Sequence, residues 1–169
     1  ADAGSLYAAT GGGGRVVAGQ WELNDQSRPW SLGVAAGLLD ERALVVPGEG
    51  VGGMGGRLLA THADRVRASP LEHASLVLAA DAHARGPVEL TLAADAVPAS
   101  WRETLVDTPL PTGVVAPRQA TDADLEPWLD ALGIDEVPPI WANREARGGD
   151  PTAYACRDFT CSPPQTDLD

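Results

Sequence analysis

The sequence predicts an α+β protein in which helices come first and a short β-α-β-α-β run follows. Two observations carry that expectation. Apolar residues recur at helical spacing through residues 29–84, and after Gly86 the apolar period falls to two in PVELTLA (87–93). No segment repeats, so an array of identical units is excluded.

The elements follow in order. Residues 5–22, SLYAATGGGGRVVAGQWE, read as two short β-runs around Gly11–Gly14, an N-terminal β-hairpin whose glycines adopt positive φ freely. PWSLGVAAGLL (29–39) reads as a helix, with Pro29 in its first turn. A second helix is expected over 57–68, with Leu58, Leu59, His62 and Val66 near one stripe. A third covers 70–84: Ser69 is its N-cap, Pro70 its first residue and Glu72 completes a capping box. Its inner stripe is Leu71, Ala74, Val77, Leu78 and Ala82, and Gly86 ends it.

Beyond Gly86 the pattern gives a strand (87–93), a short helix (98–106) and a second strand (112–117). Thr121 is placed to cap TDADLEPWLDAL, with acidic residues in the first turn, Gly133 as terminator, and Pro127 imposing a late start or a kink. PPIWANREARGGDP (138–151) reads as loop, TAYAC (152–156) as the last of three strands, and the tail from Ser162 as frayed. The division is therefore 1–86, hairpin and helices, and 87–169, a small three-stranded α/β subdomain ending in a Cys-x4-Cys turn.

Charge excludes whole classes of partner. The 169 residues carry 24 acidic and 12 basic side chains, a formal net charge of −12. Binding to nucleic acid or to anionic lipid needs an excess of cations, so neither partner is expected. All twelve basic residues are Arg, in an Ala-, Gly- and Asp-rich palette. A GC-rich genome accounts for the missing Lys, and adaptation to high salt accounts better for the Asp excess. No run of 18 apolar residues offers a membrane span. The first residues, ADAGSLY, include no Met, from which a start inside a longer gene product is expected.

ALVVPGEGVGGMGG (43–56) contains Gly48-x-Gly50-x-x-Gly53, the spacing of a dinucleotide fingerprint. The context fails it: Pro47 sits at the junction, and the following helix leads into another helix rather than a second strand. A helix-connecting loop is the better reading, and no cofactor is expected. Cys156 and Cys161 are structural thiols or a local disulfide, a redox pair, or part of a metal site short of two ligands. His62, His73 and His83 fall on helices; His73 is the one placed to line a cleft, though a core or surface histidine is the commoner case. Trp141, in a loop, either plugs a core or stacks on a ligand.

SPLEHASLVLAAD, PVELTLAAD and PPIWANREARGGDPTAYACRDFTCSPPQTD together resemble the C-terminal end of the YyaL-like, spermatogenesis-associated protein 20 family. The specific part is Ala153-Tyr154-Ala155-Cys156 followed after four residues by Cys161-Ser162-Pro163-Pro164. SLYAAT and ELNDQSRPWSLGVAAGLL resemble the family's earlier segments more loosely. The resemblance implies a long cytoplasmic parent, here haloarchaeal, with an N-terminal thioredoxin-like domain and an (α/α) toroid similar to N-acylglucosamine 2-epimerases and six-hairpin glycosidases. This chain would supply part of the toroid and the α/β appendage. Its partners would be the rest of that parent or a homologous subunit, and a carbohydrate-related ligand. Asp25 and Pro29 match the family's cleft-facing segment, although Trp30 stands where the family has Ser.

Three functions follow as expectations: structural completion of the parent without catalysis by the isolated chain; a sugar epimerase or isomerase with a pocket of Asp25, Trp30, His73 and Trp141; and a thiol-redox module using Cys156 and Cys161. No catalytic residue or metal ligand is assigned.

Overall fold

The computed structural model describes residues 24–25, 28–46, 53–110, 113–158 and 160–168. The expected hairpin at 5–22 and most of the glycine-rich run at 47–52 lie outside them. The described residues form an α+β structure of five α-helices and a four-stranded mixed sheet. They fall into two compact units: Ala1–Ala43 with Gly50–Ala84, and Leu44–Glu49 with Arg85–Asp169. No described helix is long and apolar enough to cross a membrane.

The first unit is helical. α1 (Ser31–Val45) starts two residues later than the sequence implies and runs six further, its last two residues counting with the second unit. α2 spans Met54–Ala68, entered through Gly53 at φ 72°. Pro70–His73 then form a 3₁₀ turn, and α3 spans Ala74–Arg85. Leu32, Ala36, Leu58, Leu76 and Ala79 make the core, with Trp30, Leu59 and Val66 packed around it.

Two features of α3 correct the sequence reading. Leu71 is 92% exposed and Leu78 70%, while Leu76 and Ala79 are buried. Leu71, Val77 and Leu78 share the outer face, and the buried stripe runs instead through His73, Leu76 and Ala79. Ser69 makes no side-chain cap; its carbonyl accepts the Glu72 N–H at 3.1 Å. The cap comes from Asp25 instead, whose Oδ2 accepts the Ser75 N–H at 2.6 Å. This satisfies one of the orphan donors of the first helical turn.

The second unit is built on the sheet, in the order β2-β1-β3-β4. β1 (Val88–Ala93) pairs parallel with β2 (Gly113–Arg118) and antiparallel with β3 (Thr152–Arg157). The parallel pair is joined through α4 (Ala99–Asp107), the crossover that such pairing requires. Pro117 is tolerated because β2 is an edge strand.

Three strands were expected, and the fourth is β4 (Thr160–Cys161), paired with Cys156 and Arg157. The tail is also held. Gln165 exchanges both backbone hydrogen bonds with Ala153, at 2.7 and 2.9 Å, and Leu168 packs beside Leu92 and Trp101.

Side-chain alternation separates the two sheet faces. Leu90, Leu92 and Ala153 point to one face, where Trp101 and Leu105 of α4 cover them. The other face carries Glu89, Thr91, Ala116 and Cys156. Over Ala116 lies a core of Leu125, Ile140 and Trp141, joined by Trp128, Leu129 and Leu44. A 3₁₀ turn (Asp122–Asp124) and α5 (Glu126–Leu132) supply part of that cover. α5 starts late, as Pro127 implies, and ends at Gly133 with φ 66°. Thr121 caps no backbone N–H; its hydroxyl donates to Asp124 Oδ2 at 2.5 Å.

Candidate functional site

β1, β3 and β4 set three side chains in one row. Glu89 lies opposite Cys156, and Cys156 opposite Cys161. The two cysteines are joined as a disulfide. Of the alternatives open to the pair, this one leaves neither sulfur as a thiolate ligand for a metal. Cys156 is buried and Cys161 is exposed.

Arg144, from the 138–151 segment, lies over this row. Its Nη2 donates to Glu89 Oε2 at 2.8 Å and approaches Cys161 Sγ at 3.7 Å. Its Nη1 donates to the Ile140 carbonyl and, at 3.4 Å, to Thr91 Oγ1. Glu89 is 0% exposed and Arg144 5%. A buried ion pair of this kind contributes little net stability, but losing one partner strands a charge.

A second buried arginine closes the same segment. Arg118 donates from Nε to the Gln119 carbonyl at 3.0 Å, from Nη1 to the Trp141 carbonyl at 2.6 Å, and from Nη2 to Asp122 Oδ1 at 2.6 Å. The region read as loop is thus pinned by guanidinium groups on both sides of Trp141.

Beside Cys161 opens a cavity of about 500 Å³. Arg144, Arg147, Asn143, Tyr154 and Ser162 line it together with Cys161, and Pro139, Ala142 and Pro164 supply apolar wall. Asn143 adopts φ 59° at its rim, a conformation Asn tolerates better than most residues.

The residues expected around a sugar pocket are distributed otherwise. Asp25, Trp30 and His73 belong to the first unit and Trp141 to the second. Both Asp25 oxygens accept backbone N–H groups, from Trp30 and from Ser75, each at 2.6 Å. Burial raises the Asp25 pKa, but the Ser75 N–H and hydroxyl, the Trp30 N–H and the nearby His73 outweigh it, holding the carboxyl below its ordinary range. His73 is buried, with Nδ1 2.8 Å from the Ser69 carbonyl. Trp141 is a core side chain, edge-on to Trp128 at 5.8 Å, and its indole N–H meets no acceptor among the described residues.

Two histidine environments were not read from sequence. His83 Nδ1 meets Asp40 Oδ2 at 2.7 Å. His62 is buried, and desolvation, with Arg65 and His73 adding to it, pushes its pKa down.

Compared with protein-family models, with curated proteins and with solved structures, the chain matches none. Among the described residues no three His, Cys, Asp or Glu side chains converge as a metal cage.

Glu89 and Arg144, central to the site, were missed by the sequence reading. A signal existed: a strand in a β-α-β unit is commonly buried on both faces, so Glu89 and Thr91 within PVELTLA would need partners. Arg118 and Arg144 were candidates for that role.

Proposed function

We propose that the second unit is a thiol–disulfide exchange module, with Cys156 and Cys161 cycling between disulfide and dithiol. The observation that carries this reading is the placement of Cys161, an exposed residue, in the lining of an open cavity, with its sulfur 3.7 Å from a guanidinium. An adjacent cation favours the thiolate, which is the reactive form. Exposed disulfides are also the more readily exchanged ones. A purely structural role is less well supported. The bond closes a loop of only five residues' separation, for which chain entropy gives about 2 kcal/mol, near the low end of disulfide contributions.

The same reading takes the chain as the C-terminal part of a YyaL-like parent. The residues from Ala153 to Pro164 support it, and the three helices of the first unit would then belong to the parent's toroid. The parent's thioredoxin-like domain would be one exchange partner. No contact among the described residues favours the sugar-epimerase alternative, and its Asp25 is already engaged in capping α3.

Equilibrating the folded protein in graded dithiothreitol buffers, with alkylation to count thiols, tests the exchange. Two thiols are expected to appear together in one two-electron transition while the circular dichroism stays native. Thiols that appear only on unfolding would overturn the reading. For the parentage, an upstream coding frame for thioredoxin and helical hairpins is expected, and a start codon directly before Ala1 would count against it.

A further inference from the structure

We infer that the cavity at Cys161 binds a small carboxylate-bearing thiol, with Arg147 as its anion contact, and presents that thiol's sulfur to Cys161 Sγ. This rests on the exchange reading and gives it a substrate class.

Charge carries the argument. The chain has twice as many acidic as basic residues, yet the described lining of this cavity holds two arginines and no carboxylate. Arg144 is buried, and its guanidinium is already engaged by Glu89 and faces Cys161 Sγ. Arg147 is exposed and its guanidinium forms no ion pair with a described residue. A local positive site thus stands on a strongly negative molecule.

Arg147 also has a fixed base. Its N–H donates to Thr152 Oγ1 at 2.8 Å, its carbonyl accepts the Asp150 N–H at 3.1 Å, and Gly148 and Gly149 turn the chain at φ 64° and 86°. The volume of about 500 Å³ lies in the range of small-molecule sites. Prolines and the Tyr154 ring offer apolar surface to a ligand's carbon skeleton.

The chemistry balances with thiol alone. The ligand thiolate attacks Cys161 Sγ, the Cys156–Cys161 bond breaks, and its electron pair goes to Cys156 Sγ, which takes a proton from water. A second thiolate attacks the ligand's own sulfur in the mixed disulfide. The small disulfide leaves, and Cys161 departs as a thiolate beside Arg144. The net change is one protein disulfide reduced and two small thiols oxidised.

The test is the rate at which the folded protein's disulfide is reduced by glutathione, 2-mercaptoethanol and cysteamine. Each rate is divided by that for a small uncharged disulfide, to remove differences in intrinsic thiol reactivity. Measurements in about 1 M KCl, where the screening length is roughly 3 Å, suppress the molecule's overall negative field and keep close contacts. Glutathione is expected to saturate and to exceed the other two by about tenfold, the scale of one charge-assisted hydrogen bond. Arg147→Gln should reduce that ratio to about one. Equal relative rates for the three thiols, or a preference unchanged in Arg147→Gln, would overturn the inference. So would rapid reduction by a thioredoxin with no charge preference among small thiols, though that result leaves the exchange reading intact. Resistance to all three thiols and to dithiothreitol would instead remove the exchange reading itself.

Discussion

The two units place the same residue palette differently. In the helical unit the apolar core is Leu and Ala, with two histidines, His62 and His73, buried alongside. Its most consequential polar contact is Asp25 accepting the Ser75 N–H, 50 positions along the chain, to cap α3. In the sheet unit two arginines and a glutamate are almost wholly buried, each satisfied by named acceptors or donors. A helix satisfies its own backbone along most of its length, so an apolar stripe suffices to pack it. A strand buried on both faces must instead find partners for any polar residue in its alternation. The comparison teaches that failure should look different in each unit: stranded charge in one, lost backbone proximity in the other.

The largest expected effect tests the charged side. Arg144→Met removes the guanidinium that pairs with the fully buried Glu89, and breaking such a pair costs about 3–5 kcal/mol. Urea unfolding should report that loss. Glu89→Leu combined with Arg144→Met should recover most of it, because a well-packed apolar pair avoids desolvating two charges. A double variant no more stable than the single would mean that lost packing, not stranded charge, dominates.

The helical side is tested by two glycines one turn apart in α1. A Cβ on Gly33 would fall 2.5 Å from the backbone of Ser75, whereas one on Gly37 would meet nothing within 4 Å. Gly33→Ala must push α1 away from the start of α3 and should destabilise by about 1–3 kcal/mol. Gly37→Ala should stabilise by about 1 kcal/mol through helix propensity alone. Thermal unfolding of the two variants reads the opposite signs. A loss in both would indicate that Gly37 also serves close packing.

What was legible in the sequence divides along the same line. Local signals worked: Gly86 and Gly133 take positive φ where helices end, Pro127 delays α5, and the change of period after Gly86 marks the sheet. Signals that depend on distant partners did not. Ser69 looked like a cap because its neighbours fit a capping box, but the carboxylate that caps α3 is that of Asp25, 50 positions before the Ser75 N–H it accepts. Leu71 and Leu78 looked inward because they are large, apolar and seven residues apart, but the face that packs is the one carrying His73, Leu76 and Ala79, which only the neighbouring helices decide. At the candidate site the cysteine spacing was visible, while the row Glu89–Cys156–Cys161 and Arg144 above it exist only through strand register. β4 was invisible for a related reason: two residues are too few to show alternation.

The smallest expected effect concerns acid, and it belongs to the helical unit. His62 is buried, and its pKa lies below the ordinary 6.5 because desolvation penalises the charged imidazole, with Arg65 and His73 adding repulsion. Below about pH 6.5 the unfolded chain therefore takes a proton that the folded chain refuses, and stability falls as pH falls. Asp25 acts lower on the scale. Its folded pKa is below the ordinary 3.8, so its contribution is present above that value and is lost as pH falls through the folded one. Unfolding midpoints recorded from neutral to acid pH should show two successive declines. His62→Leu should flatten the first and leave the second, while Asp25→Asn should do the reverse, with a lower midpoint at neutral pH because α3 loses a charged cap. A first decline that persists in His62→Leu would mean that another group takes up the proton, and that burial of this imidazole does not govern the unit's response to acid.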